Sequence, residues 1–268
     1  MQNKTTAIVS IRSFLVDGPM SDSELLQLVA GLITRPFSGF ELSWGPSDIM
    51  RIDQKELDAV ASILAKYEYN TLHCGSYEDR AFGLNVEMTE KFISLVNFLF
   101  KRGLIKSVTI HCNDIGDFDL PTYFEPELDC LAEVMGSYNN CCNTFTEIEE
   151  IIRKDKGWGL TLDVAHVAEM NQRGEPDLAQ YLDIFFNHIG HVHLSSYTNA
   201  YKNYPGLEEF ETQHSILSLC PEFRLYIEQF LHQLQSYPIT LEGVVPKGAV
   251  FLDAFHADLD FISQSVAS

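Results

Sequence analysis

Five short apolar runs in this chain each end in a side chain that can bind a metal ion. The runs have the length and the β-branched or apolar content of buried strands, and turn-forming residues follow them. Their terminal residues are His73, His111, Asp163, His193 and Glu242. Imidazole and carboxylate groups in combination suit Zn²⁺, Mn²⁺, Co²⁺ or Fe²⁺. Because five such endings in one chain are hard to explain independently, the sequence predicts a shared metal site.

The most specific local motif is Asp163-Val-Ala-His166. The aspartate ends an apolar run, and the histidine lies on the following turn, where it can reach the same cavity. The motif therefore predicts two further metal ligands next to each other. The structural alternative is an aspartate that caps a helix, followed by a surface histidine.

A second motif, His191-Val-His193, contains two alternating histidines. Successive side chains of a strand point to opposite faces, so both imidazoles are expected on one side of the sheet. His193 lies nearer the C-terminal end of the run and is the better candidate ligand. His191 is expected to be a hydrogen-bonded core residue.

Two glutamates are the remaining candidates. Glu242 ends a buried run, where a carboxylate is costly unless it is paired or binds metal. Glu133, in the sequence Glu133-Val-Met-Gly136, would supply a matching carboxylate if it lies on a strand. The structural alternatives are an ion pair at the rim for Glu242 and a helix surface position for Glu133.

Segments typical of strands and helices alternate along almost the whole chain, which favours βα units and a parallel sheet. Strands are predicted near 7–14, 38–44, 69–75, 106–112, 129–135, 159–165, 189–195 and 238–244. Helices are predicted near 21–34, 53–67, 87–102, 145–155, 175–187, 215–235 and 255–265. Eight strands in 268 residues predict a (β/α)8 TIM barrel, with parallel strands and outer helices, whose mouth would gather the strand ends. An open doubly wound sheet competes, but no Gly-x-Gly-x-x-Gly motif follows the first strand.

The fifth strand is the uncertain element. Only 21 residues separate His111 from Glu133, too few for a loop, a full helix and a strand. We expect a shortened fourth helix, with 129–135 as strand five. In the alternative, 126–136 is that helix and strand five is a weak segment around 139–143.

The segment 196–214 is the longest irregular stretch after a strand. In a barrel it would overhang the mouth as a lid or specificity loop. Glu211 and His214 within it are additional candidate ligands, but are more simply interpreted as solvated loop residues.

The charge balance limits the partners. With 18 basic and 38 acidic residues the formal net charge is −20, which disfavours nucleic acid and anionic membranes because both require basic contacts. There is no apolar run of signal-peptide length at the N-terminus, and none approaches the roughly 20 residues that span a bilayer. Six cysteines without a Cys-x-x-Cys pair suggest reduced thiols. A cytoplasmic protein is expected.

Together these residues resemble the xylose isomerase-like TIM-barrel superfamily, which includes sugar isomerases and epimerases and the endonuclease IV-type nucleases (AP endonuclease family 2). That family has His on strands three and four, Glu on five, Asp-x-x-His on six, His on seven and Glu on eight. The matching positions occur in the same order: His73, His111, Glu133, Asp163, His166, His193 and Glu242. The resemblance implies one barrel domain over residues 1–268.

Two departures from the family pattern stand out. Val134 replaces the Asn of the family's Glu-Asn-Met-Gly type motif. The nucleases also carry Asp-x-His after strand seven, where this chain has Glu211-Thr-Gln213-His214. A complete three-metal centre is therefore not expected.

The function that the resemblance favours is a divalent-metal-dependent isomerase or epimerase of a small sugar or sugar-like ketose. Glu133, Asp163, His193 and Glu242 would hold one ion. Glu133 and Glu242 would remove and return the proton next to the carbonyl, as general base and acid. His166 would hydrogen-bond a substrate hydroxyl or bind a second ion.

Two other functions stay open. In a multi-metal phosphoester hydrolase of the endonuclease IV type, His73, His111 and Glu133 would bind a second ion. A non-catalytic barrel that binds a metabolite is the third. The implied cofactor is one or two divalent ions (Zn, Mn, Co or Fe) per chain, and the implied partner is a small carbohydrate. Oligomeric state is left open, and a homo-oligomer is compatible with the sequence.

Overall fold

Eight parallel strands close into a barrel in the order in which they occur along the chain, in a computed structural model that describes residues 5–75, 85–111, 119–137, 142–154 and 156–264. The predicted (β/α)8 TIM barrel is confirmed. The strands are β1 (Ala7–Ser10), β2 (Gly39–Ser43), β3 (Thr71–Cys74), β4 (Ser107–Ile110), β5 (Asp129–Glu133), β6 (Trp158–Asp163), β7 (Ile189–Leu194) and β8 (Ile239–Leu241).

Ten α-helices within the described ranges surround the barrel. They are α1 (Asp22–Leu32), α2 (Pro46–Arg51), α3 (Gln54–Leu64), α4 (Val86–Lys101), α5 (Phe145–Arg153), α6 (Val164–Asn171), α7 (Leu178–Phe185), α8 (Pro221–Glu228), α9 (Leu231–Leu234) and α10 (Ala249–Ser263). The short helices α2 and α6 were not predicted; α6 follows β6 directly, and α2 begins three residues after the end of β2. The predicted helix over 215–235 is divided between α8 and α9, and α10 begins six residues before the predicted 255.

Helix starts follow the expected capping chemistry. The Ser21 hydroxyl accepts a hydrogen bond from the Glu24 amide (3.3 Å), and the Glu24 carboxylate accepts one from the Ser21 amide (2.9 Å). This capping box satisfies amides that the first turn leaves free. Thr144 and Glu147 form a second capping box at the start of α5.

The assignment of strand five is settled by its pairing. β5 pairs in parallel with both β4 and β6, and Glu133 is its last residue. A 3₁₀ turn over Leu120–Tyr123 stands in the described part of the β4–β5 connection, as the shortened fourth helix predicts. The alternative helix over 126–136 is wrong. Most of the alternative strand around 139–143 lies outside the described residues.

The barrel interior below the mouth is unusually polar. TIM-barrel interiors are filled mainly by branched aliphatic side chains. Here several hydroxyl, imidazole and carboxylate groups are completely buried, and Thr109 and Thr161 share a hydrogen bond of 2.8 Å. The buried polar residues of this interior layer are Glu41, Thr71, Thr109, Thr161, His191 and Thr240.

Two expectations about the chain's environment can be compared with the structure. No helix in the described ranges is long and apolar enough to span a membrane. Cys74, Cys130 and Cys220 carry free thiols, but Cys142 is disulfide-bonded. The expectation that all six cysteines are reduced is therefore wrong.

Gly39 begins β2 at a point where the neighbouring backbone leaves no room for a side chain. A Cβ at this position would lie 1.8 Å from the carbonyl oxygen of Tyr69. Gly39→Ala should therefore lower the free energy of unfolding by about 1–3 kcal/mol or more, because backbone must move. Urea denaturation in the presence of a metal chelator measures this loss.

The matched control is Gly31→Ala near the end of α1, where a Cβ would meet nothing within 4 Å. It should leave stability unchanged or raise it by about 0.5–1 kcal/mol. Equal unfolding midpoints for the two variants would show that β2 does not need glycine at its start.

Candidate metal centre

The strands carry the predicted ligands to one mouth of the barrel. His73 and His193 lie within β3 and β7, Glu133 and Asp163 end β5 and β6, and His111 and Glu242 directly follow β4 and β8. The side chains of Glu133, Asp163 and His193 are at most 2% exposed. Those of His73, His111 and Glu242 are 11–13% exposed, so they form the accessible side of the cluster.

Glu133 lies at the middle of this cluster. Its Oε2 is 2.8 Å from Nε2 of His111 and 3.1 Å from Nε2 of His73. Its Oε1 is 2.8 Å from Nδ1 of His193. One carboxylate thus presents its two oxygens to two different groups of imidazoles.

Glu242 closes the cluster on the opposite side. Its Oε1 is 3.5 Å from Nδ1 of His73, and its Oε2 is 3.3 Å from Nδ1 of His193. The two glutamates therefore face the same pair of imidazoles, although they come from strands three positions apart in the barrel.

Asp163 caps a helix, which is one of the two interpretations of its motif, and its geometry is compatible with the other, a metal ligand. Its Oδ1 accepts a hydrogen bond of 2.9 Å from the amide of His166 and caps α6. Its Oδ2 is buried without a hydrogen-bond partner and lies 3.9 Å from Nε2 of His166. The cap fixes the carboxylate while leaving one oxygen for a ligand.

His214 joins this part of the site, so its interpretation as a solvated residue is wrong. Its ring centroid is 5.0 Å from that of His166, and its Nδ1 is 2.9 Å from the Ser195 hydroxyl. The segment 196–214 returns to the barrel because Ser196 and Ser215 exchange two backbone hydrogen bonds of 2.9 Å. Sequence spacing could not reveal this return, which brings His214 beside the end of β7.

Glu41 is the site residue that the sequence analysis missed. It lies in the middle of β2 and is completely buried. Its Oε2 accepts a hydrogen bond from the Thr71 hydroxyl (2.9 Å) and is 3.3 Å from Nε2 of His193. The available signal was a carboxylate inside an apolar strand, which is costly without a partner. The search for strand-end residues overlooked it.

His191 behaves as the predicted core histidine. Its Nε2 is 2.7 Å from the Thr240 hydroxyl, and the residue is completely buried. Burial lowers the pKa of His191 to about 4, so it is neutral at physiological pH.

The donor atoms form four overlapping groups, each with its ligand atoms within 4.8 Å of one another. Five residues each belong to two groups: His73, Glu133, Asp163, His193 and Glu242. Mixed nitrogen and oxygen donors at this spacing fit Zn²⁺, Mn²⁺, Co²⁺ or Fe²⁺. The unpartnered buried Oδ2 of Asp163 supports the fit, since such an atom is costly unless a ligand satisfies it. The groups are Glu41–His73–His193–Glu242, His73–His111–Glu133, Glu133–Asp163–His193–Glu242 and Asp163–His166–His214.

Two glycines let the histidines approach the strand ends. A Cβ at Gly75 would lie 2.4–2.7 Å from three ring atoms of His111, and a Cβ at Gly136 would lie 2.5 Å from Nδ1 of His166. Side chains at these positions would displace the imidazoles. Glycine after β3 and after β5 is therefore part of the construction of the site.

The charges of the cluster are mutually stabilising. Burial alone would lower the pKa of His73, but Glu133 and Glu242 outweigh it and raise that pKa to about 10. The pKa of His166 rises to about 9 against the effect of burial, mainly because of Asp163. Burial would raise the pKa of Glu133, but the neighbouring imidazoles hold it well below its usual value.

A cavity of about 910 Å³ opens onto the cluster. Its walls include His73, His111, His166, His214 and Glu242. Glu133 is not among the described wall residues. The walls also carry two cationic side chains, one further acidic side chain and several neutral polar groups: Arg12, Lys202, Glu211, Ser10, Ser13, Ser43, Tyr197, Asn199, Thr212 and Gln213.

Comparison with solved structures identifies the architecture. D-psicose 3-epimerase from Clostridium cellulolyticum is 14% identical, with 96% of this chain and 98% of that chain covered and a TM-score of 0.63. A xylose isomerase-like TIM barrel protein from Mycobacterium smegmatis, in complex with magnesium, is 13% identical, with 98% and 96% covered and a TM-score of 0.60. These likenesses show that the chain shares its TIM-barrel fold with these proteins.

Endonuclease IV from Thermus thermophilus has the same architecture at 16% identity, with 94% and 99% covered and a TM-score of 0.58. At these identities the likeness establishes the fold alone. No protein-family model matches the sequence, and no curated protein matches it. The chemistry must therefore be argued from the site.

The raised pKa of His73 predicts how the metal-free protein responds to pH. A group whose pKa is higher in the folded chain stabilises it fully below its ordinary pKa, 6.5 for histidine, and loses that effect as pH rises to about 10. The melting temperature in a chelator should therefore fall between pH 6.5 and 10. A fall of at least about 2–4 °C is expected, the equivalent of roughly 1 kcal/mol in a chain of this size.

His73→Ala is the control, because it removes the group whose proton is lost. Its melting temperature should vary less over the same range. If wild type and His73→Ala showed the same slope, the proton on His73 would not contribute to folding.

Proposed function

We propose that this protein is a hydrolase that uses two or more divalent ions to cleave a phosphoester in a small, polar, sugar-like substrate. The proposal rests on the orientation of the Glu133 carboxylate, whose two oxygens face different imidazoles. One oxygen faces His73 and His111, and the other faces His193. A carboxylate placed between two donor groups is suited to bridge two ions.

The chain's residues would divide the work as follows. His73, His111 and Glu133 would hold one ion, and Glu133, Asp163, His193 and Glu242 would hold another. His166 and His214, with Asp163, offer donors for a third. Bound divalent ions lower the pKa of coordinated water and neutralise charge that develops on phosphoryl oxygens.

The protein contributes a fixed arrangement of these groups. Glu133 is held from two sides by imidazoles, and Asp163 is held by its cap on α6. Groups that are oriented before the substrate arrives need no rearrangement during the reaction, which is the main source of electrostatic stabilisation in enzymes.

The substrate class follows from the cavity and the net charge. Arg12 and Lys202 line the cavity and can each accept an anionic group. The Arg12 guanidinium is held at the mouth by Asp22, 3.0 Å away. Two cations in a chain of net charge −20 suit one phosphate better than a nucleic acid backbone. The hydroxyl and amide groups of the rim suit a carbohydrate.

A metal-dependent isomerase or epimerase is the second candidate. The observation that favours it is that Glu242 and His166, which can both carry protons, line the same cavity. In that reaction Glu242 would move the proton next to the carbonyl. Glu133 is not among the described residues that line this cavity, so it is less well placed for a second proton transfer.

Activity measurements separate the two candidates. The protein loaded with Zn²⁺, Mn²⁺, Co²⁺ or Mg²⁺ should release phosphate from a panel of sugar phosphates. The double variant His73→Ala/His111→Ala should lower kcat by at least about 100-fold, because it removes one ion's ligands but leaves the other group intact. An isomerase that uses one ion should lose much less.

The control variant is His232→Ala, an exposed histidine on α9 that belongs to none of the four donor groups and should retain full activity. Solvent deuterium exchange into ketoses is measured in parallel. Exchange that survives the double variant, without phosphate release from any substrate, would favour the isomerase and contradict the hydrolase.

A further inference from the structure

Glu41 is a buried carboxylate that no step above uses. It is completely buried in the middle of β2, one layer below the mouth. Removing a carboxylate from water is costly unless it is paired and hydrogen-bonded. An aliphatic residue is usual at such interior positions of a barrel. The desolvation of Glu41 therefore indicates that this carboxylate has a function in the site.

The contacts of Glu41 lead directly to a metal ligand. Its Oε2 is 3.3 Å from Nε2 of His193 and 2.9 Å from the Thr71 hydroxyl, with the Thr240 hydroxyl at 3.5 Å. Its Oε1 has no hydrogen-bond partner. The Thr71 hydroxyl donates to Oε2 and keeps this oxygen on the His193 side.

The two nitrogens of His193 face opposite directions. Nδ1 faces Glu133 at 2.8 Å and Glu242 at 3.3 Å, which is the side of the metal ligands. Nε2 faces Glu41. When Nδ1 binds an ion it carries no proton, so the proton of the neutral ring must lie on Nε2.

We propose that Glu41 is a positioning residue that accepts the Nε2–H hydrogen bond of His193 and so presents Nδ1 of that ring to the metal. This inference rests on the metal binding in the proposed function, but not on the reaction. Carboxylates that orient metal-bound histidines in this way fix the tautomer and increase the ring's basicity. Here the orienting carboxylate comes from β2, a strand that supplies none of the ligands predicted from sequence.

Two other roles of Glu41 would have different effects on metal binding. If Glu41 were itself a ligand, as its place in one donor group allows, its loss would remove an ion. If Glu41 only filled space or held Thr71, its loss would affect folding and leave metal affinity unchanged. A positioning role changes affinity while the number of ions stays the same.

The test is metal binding by Glu41→Gln, which keeps the side-chain volume and removes the charge. Zn²⁺ affinity is measured by competition with a chromophoric chelator, and the number of bound ions by elemental analysis. We expect an affinity 10–100-fold weaker for one ion, an unchanged number of ions at saturation, and an altered visible spectrum of the Co²⁺-loaded protein. The melting temperature of the metal-free variant is measured alongside as the control for folding.

The control is Thr109→Val, which removes a hydrogen bond to Thr161 in the same buried layer without touching Glu41 or His193. It should keep wild-type affinity and spectrum. Glu41→Asp, whose shorter side chain withdraws from His193, should weaken binding as well and serves if the glutamine variant does not fold.

The results of these experiments distinguish a failure of the positioning role from a failure of the proposed function. Wild-type affinity and spectrum in both Glu41 variants, or the loss of one ion, would overturn the positioning role. A wild-type chain that binds no ion would refute metal catalysis and this inference together. Weakened binding in a protein that hydrolyses no phosphoester would refute the proposed function and leave this inference standing.

Discussion

Glu133 and Glu41 are carboxylates buried inside a barrel with no Lys or Arg among their described partners, and imidazoles surround them instead. The other groups of the site must therefore compensate the charge of these two carboxylates. A buried carboxylate is tolerated only when opposite charge and hydrogen bonds compensate its desolvation. In the metal-free chain protons on the imidazoles provide that charge. A divalent cation can replace those protons at the same positions, which is why such a cluster suits metal binding.

The fold brings these groups together because its parallel strands end at one rim and because glycines leave room for the side chains. Parallel strands end at the same rim, so residues at strand ends converge although they are far apart in sequence. His73 and His111 contact Glu133 from β3 and from the end of β4, whereas His193 contacts it from β7 on another side. Gly75 leaves the room that the ring of His111 requires. The site is therefore a property of the closed barrel, and no single segment contains it.

Much of this could be predicted from the sequence, because ligand-type residues at strand ends leave a local signal. The eight strands and the shortened connection before β5 follow from hydrophobic runs and from their spacing. His73, His111, Glu133, Asp163, His193 and Glu242 converge as expected. The sequence suggested two alternative roles for Asp163, a helix cap and a candidate ligand. It did not show that one side chain could serve both.

The remaining features have a weak local signal or none. His214 reaches the site because Ser196 and Ser215 pair in the tertiary structure, and a segment of irregular sequence does not encode that pairing in any short pattern. A carboxylate inside an apolar strand is a signal for Glu41, but its partner, His193, lies 152 positions away in the chain. The early start of α10 at Ala249 also escaped prediction, since Gly248 precedes it without a side-chain cap.

Glu133 is expected to contact two ions at the mouth of the barrel, one through each carboxylate oxygen. A crystal structure of protein loaded with Mn²⁺ or Zn²⁺, with the ions located by anomalous scattering, would show whether it does. At least two peaks about 3.5–4 Å apart are expected, each about 2.0–2.2 Å from a different oxygen of Glu133. A single ion that does not touch Glu133, or ions bound elsewhere while the His73–His111–Glu133 contacts persist, would refute this arrangement.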